Sequence, residues 1–354
     1  MPTDFRHVTY VDPVPTNTHA VLVGDIGGTN ANFAFFAIDQ ERATILFSSH
    51  AKSQAITDFT QVVIDVLAYA QSTYGITATN ACFAAAGVVY EERTVCKPTN
   101  ASFTITTADI KARTNLHCVF LVNDFEVIGY GLASLDPKKL VKVRKGTVYP
   151  HANQAILGAG TGLGKCTMTW IKTVDRHIPV ASEGGHADFA AQDQLEYDLA
   201  AYIRTSEEWG CNVSWEDVLS GNGIKRLYNF FRARNHEQPA HHDLVTNGLH
   251  PDSIFKNRFA DPHAHNTFML YTKLYARCAK NFALDALALG GVYIAGGIAA
   301  NNLPLFEQPE FAHEFVNCGK QQILLADIPI FVIIDYNVSL YGVVHYMLLE
   351  RMCT

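Results

Sequence analysis

An amide and a carboxylate, Asn123 and Asp124, stand directly after the apolar stretch CVFLV at residues 118–122. That stretch predicts a buried strand, and ligand sites in α/β proteins favour the carboxyl ends of strands. An aspartate at such an end can accept the proton of a substrate hydroxyl while that hydroxyl attacks a phosphoryl group. The asparagine can hold a neighbouring hydroxyl. The alternative is a plain turn opened by Asn-Asp, and the dipeptide alone favours that turn.

A glycine turn lies between two apolar runs in the stretch VLVGDIGGTNANFAFF, residues 21–36. Asp25 offers a carboxylate where a metal ion or its waters could sit. Gly27 and Gly28 let a ligand approach the backbone closely. Thr29 and Asn30 follow them and add a hydroxyl and an amide. The arrangement suits a phosphate tail with Mg²⁺, and an ordinary hairpin is an equal alternative.

The turn GAGTGLG at residues 158–164 repeats this arrangement about 135 positions later, which suggests a faint internal duplication. Two common nucleotide motifs fail here. A dinucleotide fingerprint would need glycine at Leu163 and a helix after it. A P-loop would need glycine at Ala159 and a hydroxyl residue at Cys166. Two glycine hairpins around one phosphate tail therefore predict a different ATPase architecture.

Three further polar side chains, Glu183, His186 and Glu216, could bind the hydroxyl groups of a polyhydroxylated substrate. Glu183 and His186 flank two glycines, which keep their loop open. Metal ligation together with Asp188 and simple loop polarity remain open as alternatives for this pair. The histidine-rich region 234–265 lacks a ligand spacing such as HExxH, so surface loops are favoured there over a metal site.

The composition is that of an ordinary enzyme, with 354 residues, 48% hydrophobic and 17% charged, and this length predicts about two domains. A net charge of −7 without a dense basic run argues against nucleic-acid or anionic-membrane partners. No apolar run reaches the ~20 residues that cross a bilayer, and the N-terminus lacks a signal-peptide core. The 8 scattered cysteines contain no CxxC pair, so we expect a reduced cytoplasmic compartment, no zinc site and no disulfide framework.

Hydrophobic periodicity predicts strands that alternate with helices, which indicates an α/β protein. The first 18 residues lack periodicity and are expected to form a loose arm. The basic stretch 138–145 is expected to form a solvated strand or loop. Besides the two hairpins, strands are expected at 81–89, 118–122 and 330–334. Helices are expected at 59–70, 127–135, 194–204, 227–231, 268–289 and 340–349.

Six motifs in order carry a resemblance to a known family: GDIGGTN (24–30), NDFE (123–126), GAGTGLG (158–164), EGGHADF (183–189), EDVLSGNG (216–223) and AGGI (295–298). The chain resembles the bacterial-type glucokinases of the actin/hexokinase ATPase superfamily. The resemblance implies ATP-dependent phosphorylation of glucose at its 6-hydroxyl, giving glucose 6-phosphate and ADP as the first step of glycolysis. It also implies an α/β, two-domain actin-like ATPase (ribonuclease H-like) fold with a ligand cleft between the domains.

The resemblance also implies domains and roles. Residues 1–134 with 335–354 would form the small α/β domain, and 135–334 the large one. Asp124 matches the catalytic base, and the sugar ligands match Asn100, Asn123, Asp124, Glu183, His186 and Glu216. ATP would be bound at three places. The first phosphate loop matches Gly27, Gly28, Thr29 and Asn30, the second phosphate loop matches Gly160, Thr161 and Gly162, and the adenosine side matches Gly296 and Gly297. Asp25 is similar to the carboxylate that holds Mg²⁺ through water.

Several positions depart from the family pattern. The family reads GGTNAR where this chain has Asn32, so a cation near the phosphates is missing. Lys165 is one candidate to supply it, although an outward-facing strand lysine is the favoured interpretation. The sugar loop has Ala101 and Phe103 where a larger polar residue and Trp are usual, and Ser339 lies in a turn that replaces Asn-Pro-Gly.

These departures leave room for a kinase of another hexose or of an amino sugar. A sugar-sensing transcription regulator on the same fold is a remote alternative, because such proteins carry a helix-turn-helix ahead of the first phosphate loop, and only about 20 non-helical residues precede that loop here. The resemblance also implies a homodimer. The expected partners are thus glucose and ATP with Mg²⁺, a second copy of the chain, and neither nucleic acid nor membrane.

Overall fold

The computed structural model describes residues 4–39, 42–99, 101–206, 212–235, 244 and 248–349. Asn100 and the histidines at 236, 241 and 242 lie outside these ranges. The chain divides into two compact α/β units. Unit 1 runs to Asp136 and resumes at Tyr336, and unit 2 covers Pro137–Asp335. The boundaries at 134 and 335 stay a prediction about functional domains.

Unit 1 is built on a six-stranded sheet with helices on both faces. The strands of this sheet are β1 (Arg6–Thr9), β2 (His19–Ile26), β3 (Asn30–Asp39), β4 (Arg42–Lys52), β5 (Thr77–Ala85) and β9 (Cys118–Asn123). A small three-stranded sheet contains β6 (Val89–Tyr90), β7 (Val95–Cys96) and β8 (Ile105–Thr106). The helices of unit 1 are α1 (Phe59–Tyr74), α2 (Thr107–Arg113) and α3 (Asp124–Leu132), with the C-terminal helix Val338–Leu349.

Unit 2 has a second six-stranded sheet and a larger set of helices. Its strands are β10 (Leu140–Arg144), β11 (Gln154–Ala159), β12 (Leu163–Ile171), β13 (Arg176–Ser182), β14 (Val292–Ala295) and β15 (Ile330–Ile333). Its helices are α4 (Gln194–Ser206), α5 (Trp215–Leu219), α6 (Gly221–Arg234), α7 (Pro251–Lys256), α8 (Pro262–Asp285), α9 (Gly297–Asn301), α10 (Pro309–Val316) and α11 (Gln322–Asp327). The C-terminal helix of unit 1 is then α12.

The two large sheets share one arrangement of five strands. In unit 1 the order is β4-β3-β2-β5-β9, and in unit 2 it is β13-β12-β11-β14-β15. In both, the first three strands pair antiparallel and the last two run parallel to the central one. The glycine hairpins join equivalent strands, β2 to β3 and β11 to β12. The topology therefore agrees with the duplication suggested by the two glycine turns.

Helices α3 and α12 approach each other closely beneath the unit 1 sheet. A β-carbon on Gly131 of α3 would overlap the carbonyl oxygen of Val338, and one on Gly342 of α12 would overlap that of Val127. Only glycine allows two helix backbones to come this near. This contact fixes the position of α12 against α3, the helix whose first residue is Asp124.

Buried charges hold part of the unit 2 helical layer together. Arg277 of α8 is 1% exposed and pairs with Glu196 of α4 at 2.5 Å and with Glu314 of α10 at 2.8 Å. Arg277 also donates to the carbonyl of Ala190, just after the EGGHADF motif. Breaking such a buried pair costs about 3–5 kcal/mol because the remaining charge stays buried. The network therefore ties the end of that motif to the core.

Three expectations about local structure need correction or refinement. Residues 1–18 are not only a loose arm, because β1 forms within them and pairs with β4 as the edge strand of the sheet. The helix expected from residue 127 begins at Asp124, because Asn123 caps it. The basic stretch 138–145 does contain a strand, β10, which lies at a sheet edge.

The cysteines are mostly buried thiols. Cys82, Cys96, Cys166 and Cys278 are buried thiols, and Cys318 is a half-buried thiol. Cys118 is disulfide-bonded, so the expectation of reduced cysteines was wrong at this position. Spacing along the chain carries no information on which thiols meet in space.

The longest described helix, α8, is amphipathic and carries charged residues on several turns. None of the described helices is at once long and apolar enough to cross a bilayer.

The contact between α3 and α12 predicts the effect of Gly342→Ala. Alanine usually favours a helix over glycine by about 1 kcal/mol. Here the added carbon would overlap the Val127 carbonyl, so the free energy of unfolding should fall by about 1–3 kcal/mol, measured by urea denaturation. Gln71→Ala, an exposed change on α1, should stay within about 0.5 kcal/mol. A Gly342→Ala protein as stable as the wild type would contradict the close approach.

Candidate active site

The first glycine turn is closed by its own backbone and braced by the end of β4. Within the turn, the Gly27 amide donates to the Asn30 carbonyl at 2.9 Å. Ser53 then donates twice, from its amide to the Thr29 carbonyl at 3.0 Å and from its hydroxyl to the Gly27 carbonyl at 2.6 Å. The turn is therefore held in one shape before any ligand arrives.

The Asp25 carboxylate lies at the end of β2 and is bound by a residue from the far end of the chain. The Ser339 hydroxyl of α12 donates to Asp25 Oδ2 at 2.6 Å. Burial raises the pKa of Asp25, and the Ser339 hydrogen bond partly offsets that rise. A desolvated carboxylate with only a neutral donor beside it is a site that a cation would stabilise. Sequence reasoning found Asp25 and missed Ser339.

Asn123 and Asp124 share a sheet edge with the first glycine turn. The cross-strand pairs Ile26–Ala85 and Ala85–Asn123 place the carboxyl ends of β2, β5 and β9 in one row. At the usual spacing of about 4.8 Å between strands, Asn123 is about 10 Å from the end of β2. Unit 1 therefore brings the candidate base and the candidate phosphate turn to the same edge.

The Asn123 side chain is used to start helix α3. Its Oδ1 accepts from the amides of Phe125 at 3.0 Å and Glu126 at 3.1 Å, which is an N-cap. Its Nδ2 donates to the Gly87 carbonyl at 3.1 Å. These contacts show that Asn-Asp opens a helix and not a plain turn, and they leave one Nδ2 hydrogen of Asn123 for a ligand. Asp124 follows as the first helical residue, half-buried, with Oδ1 accepting from the Phe125 amide at 3.0 Å.

Helix α3 is anchored by an ion pair that the sequence did not reveal. The two terminal guanidinium nitrogens of Arg93 donate to the carboxylate of Glu126, at 2.9 and 2.8 Å. The hydrogen bonds to Glu126 raise the pKa of Arg93 above its usual value. Glu91, Glu92 and Arg93 all have positive φ angles of 51–68°, a conformation that residues other than glycine rarely adopt. This turn delivers Arg93 to the helix that begins with Asp124.

In unit 2 Glu216 braces the second glycine turn. Its Oε2 accepts from the Leu163 amide at 2.8 Å, and a β-carbon on Gly162 would lie 2.5 Å from the same oxygen. The Gly221 amide donates to the Gly160 carbonyl at 2.9 Å. The segment EDVLSGNG is therefore bonded to the turn at two points. Glu216 was expected to bind sugar, and the structure adds this contact with the turn.

The loop that carries Glu183 and His186 packs against the same turn. A β-carbon on Gly185 would overlap the Leu163 carbonyl, so glycine is required there. Both side chains are about half exposed, and His186 Nε2 lies 3.8 Å from Glu183 Oε2. Downstream, the Trp215 amide donates to the Ala187 carbonyl at 2.9 Å. These contacts bring Glu183, His186 and Glu216 to one side of unit 2.

Gly296 and Gly297 follow β14, next to the end of β11. Gly296 has φ = 90°, and a β-carbon there would lie 2.5 Å from the Ala159 carbonyl oxygen. Gly297 opens α9, and a β-carbon on it would meet nothing within 4 Å. The expected adenosine-side glycines are therefore neighbours of the strand that leads into the second turn, with open space at Gly297.

Two departures from the family pattern prove to be core residues. Lys165 is 5% exposed, and its ammonium lies 5.4 Å from the centre of the Phe282 ring. It is therefore neither the outward-facing lysine nor the phosphate cation considered from the sequence. Phe103 is 4% exposed and stacks on Phe59 with ring centres 5.5 Å apart. The change at 103 thus alters packing in unit 1.

Metal ligation by Glu183, His186 and Asp188 finds no support in the structure. Within the described ranges, no three His, Cys, Asp or Glu side chains group as a metal site. Asn100 lies outside those ranges, so its expected sugar contact stays a prediction.

The family model for glucokinase matches residues 22–350. The chain belongs to the glucokinase family. A curated glucokinase from Synechocystis sp. is 32% identical to it over 346 residues, which cover 91% of this chain and 96% of that protein. The predictions that the protein is an enzyme and that it phosphorylates glucose with ATP are therefore confirmed.

Solved glucokinases share the fold. The enzyme from an Antarctic psychrotroph is 26% identical, with a TM-score of 0.73 over 92% of this chain and 98% of that one. The glucokinase from Balamuthia mandrillaris, solved with glucose, is 23% identical, with a TM-score of 0.81 over 93% of each chain. The two-domain α/β fold predicted from the motifs is confirmed by these matches.

The desolvated Asp25 carboxylate predicts opposite effects for two variants of this glucokinase in the absence of nucleotide. Asp25→Asn should raise the unfolding midpoint at pH 7, because it removes a desolvated charge. Ser339→Ala should lower the free energy of unfolding by about 1–3 kcal/mol, because the charge loses its donor. Thermal unfolding monitored by circular dichroism measures both.

The effect of Asp25 should depend on pH in a defined direction. Because the folded-state pKa is raised, the stability that protonated Asp25 contributes is fully present below the unfolded pKa and is lost as the pH rises through the folded pKa. The advantage of Asp25→Asn should therefore shrink as the pH is lowered through that range. An Asp25→Asn protein that is less stable than the wild type at pH 7 would contradict the burial argument.

Proposed function

We propose that Asp124 is the general base of the glucokinase reaction and acts on the 6-hydroxyl of glucose. The observation that carries this proposal is the position of Asp124 on the first turn of α3, at the sheet edge that also carries the first glycine turn. A helix N-terminus stabilises a carboxylate, the form that can accept a proton. Capping by Asn123 and the anchor between Arg93 and Glu126 keep that carboxylate in place.

The proposed step is balanced within the substrates. Asp124 takes the proton of the 6-hydroxyl, and the oxygen attacks the γ-phosphorus of ATP. The bond to the bridging oxygen breaks, and ADP leaves with the electron pair. The products are glucose 6-phosphate and ADP. This reaction is the first step of glycolysis. Positioning and electrostatic stabilisation supply the acceleration in a transfer of this type.

The sugar would be oriented by Asn123, Glu183, His186 and Glu216. Carboxylates, an amide and an imidazole each bind one or two hydroxyls, which suits a substrate with many of them. Contacts within unit 2 support three of these assignments, because they bring Glu183, His186 and Glu216 to one side of it. Asn100 is proposed from the resemblance alone. The glucose complex of the Balamuthia relative is a further reason to assign glucose as the substrate.

The nucleotide would be held by the two glycine turns and by Gly296 and Gly297. The first turn supplies Gly27, Gly28, Thr29 and Asn30, and the second Gly160, Thr161 and Gly162. Asp25 fits Mg²⁺, since this ion is bound through one or two carboxylates, water and substrate phosphates, and since the desolvated carboxylate favours a cation. When bound, Mg²⁺ would neutralise charge that develops on the phosphates.

The family resemblance is the support for two further assignments, a cytoplasmic location and a homodimer.

Asp124→Asn tests the assignment of the base. The variant keeps the shape and a hydrogen-bonding group but cannot take the proton. We expect kcat to fall by about 10²–10⁴, with KM for glucose changed less than threefold, in an assay coupled to glucose 6-phosphate dehydrogenase. Asp65→Asn on α1 is the matched control and should keep full activity. Turnover retained in Asp124→Asn would refute the assignment.

Glu216 and Glu183 should differ in their effects on ATP. Glu216 bonds the second glycine turn, so Glu216→Ala should raise KM for ATP as well as KM for glucose, each by about tenfold or more. Glu183→Ala should raise KM for glucose by a similar factor and leave KM for ATP within twofold. Equal KM values for ATP in wild type and Glu216→Ala would show that the bond to Leu163 does not support nucleotide binding.

A further inference from the structure

One face of the unit 1 sheet carries a polar patch beside the first glycine turn. Asp25 pairs with Asn32 across β2 and β3, and Asn32 pairs with His50 across β3 and β4. Side chains of directly opposed residues project from the same face of a sheet. Asn30 and Lys52 form the next pair along the same two strands, two residues away, and therefore project from that face too. The Asp25 carboxylate and the Lys52 ammonium thus belong to one face.

The two residues that follow Asp25 across the strands, Asn32 and His50, supply no positive charge close to its carboxylate. The Asn32 side chain accepts from His50 Nδ1 at 2.8 Å, and His50 Nε2 lies 2.7 Å from the Ser48 hydroxyl. Burial lowers the pKa of His50, and the nearby charges of Arg6 and His7 lower it further. The imidazole is therefore neutral at pH 7. Arg6 pairs with His50 on β1, one strand further from the turn.

Lys52 is a cation held at the turn itself. Its side chain is exposed, and Nζ donates to Asn30 Oδ1 at 2.8 Å. Among the residues that the structure describes, no carboxylate forms an ion pair with this ammonium. An ammonium has three donors, so two remain after the bond to Asn30. The next residue, Ser53, braces the turn through two hydrogen bonds, so Lys52 moves with the turn.

We propose that Lys52 binds the phosphate tail of ATP at the first glycine turn. It supplies from β4 the charge that Asn32 does not supply from β3. This inference rests on the proposed function, because it takes the first glycine turn to be a phosphate site. Asn30 orients the ammonium, and the two remaining donors contact phosphate oxygens. A lysine in this role acts as a point charge on polyphosphate.

Kinetics and nucleotide binding test the role of Lys52. Lys52→Ala should raise KM for ATP, and the Kd for ADP measured by calorimetry, by about tenfold or more, the loss expected for a hydrogen bond to a charged group. KM for glucose should stay within twofold. Lys52→Arg should restore nucleotide affinity to within about threefold, and Lys52→Gln should not, because glutamine can bond Asn30 but carries no charge.

Lys111→Ala is the matched control. Lys111 is exposed on α2, whose Ile110 packs in the core on the opposite face of the same sheet. The Lys111→Ala change should leave KM for ATP, KM for glucose and Kd for ADP unchanged. A thermal unfolding curve for Lys52→Ala that overlays the wild type excludes a general loss of structure.

The outcomes separate this inference from the proposed function. A wild-type protein without ATP-dependent glucose phosphorylation would overturn the function itself. An active wild type with unchanged KM for ATP and Kd for ADP in Lys52→Ala would overturn only the role of Lys52. A Lys52→Gln protein with wild-type affinity would show that Lys52 positions Asn30 and does not contribute charge, which also contradicts the proposal.

Discussion

Backbone approaches that leave no room for a β-carbon determine how unit 2 presents its polar groups. Gly162 meets the Glu216 carboxylate, Gly185 meets the Leu163 carbonyl, and Gly296 meets the Ala159 carbonyl. Each approach joins a different segment of the chain to the end of β11 or the start of β12. Because the three segments converge on one turn, the candidate sugar ligands and the candidate nucleotide glycines become neighbours. A β-carbon at Gly185 or Gly296 would push one backbone segment away, and one at Gly162 would displace the Glu216 carboxylate.

Unit 1 positions its polar groups with hydrogen bonds to a glycine hairpin and with a helix. The hairpin follows the central strand in both sheets, and the parallel strands beside it end at the same edge. In unit 1 that edge carries Asn123, which ends β9 and caps α3, and Asp124, which is the first residue of α3. The Asp25 carboxylate beside it is desolvated, which costs stability in the protein without nucleotide. Such a cost is typical of functional sites, where charge is arranged for a ligand and not for the fold.

The sequence predicted those features that local patterns encode. Glycine turns between apolar runs predicted both hairpins. Helical periodicity predicted α1 and α12 closely, and it predicted α8 with a start six residues too late and an end four residues too late. Partners distant in sequence left no local signal. Ser339 lies 314 positions from Asp25, and Lys52 reaches Asn30 only because β3 and β4 pair in that register. Lys165 could not be assigned for the same reason, since a strand pattern does not show that Phe282 covers a lysine. The sequence did carry one neglected signal, the lysine that ends β4 and the serine that follows it.

The central claim is that Asp124 receives the proton of the glucose 6-hydroxyl. A crystal structure of the protein with glucose and a non-hydrolysable ATP analogue tests it most directly. An Asp124 carboxylate oxygen is expected at about 2.6–3.2 Å from the 6-hydroxyl oxygen, the reach of a general base. A structure in which another carboxylate occupies that position, with Asp124 well beyond hydrogen-bond distance of every sugar hydroxyl, would contradict it.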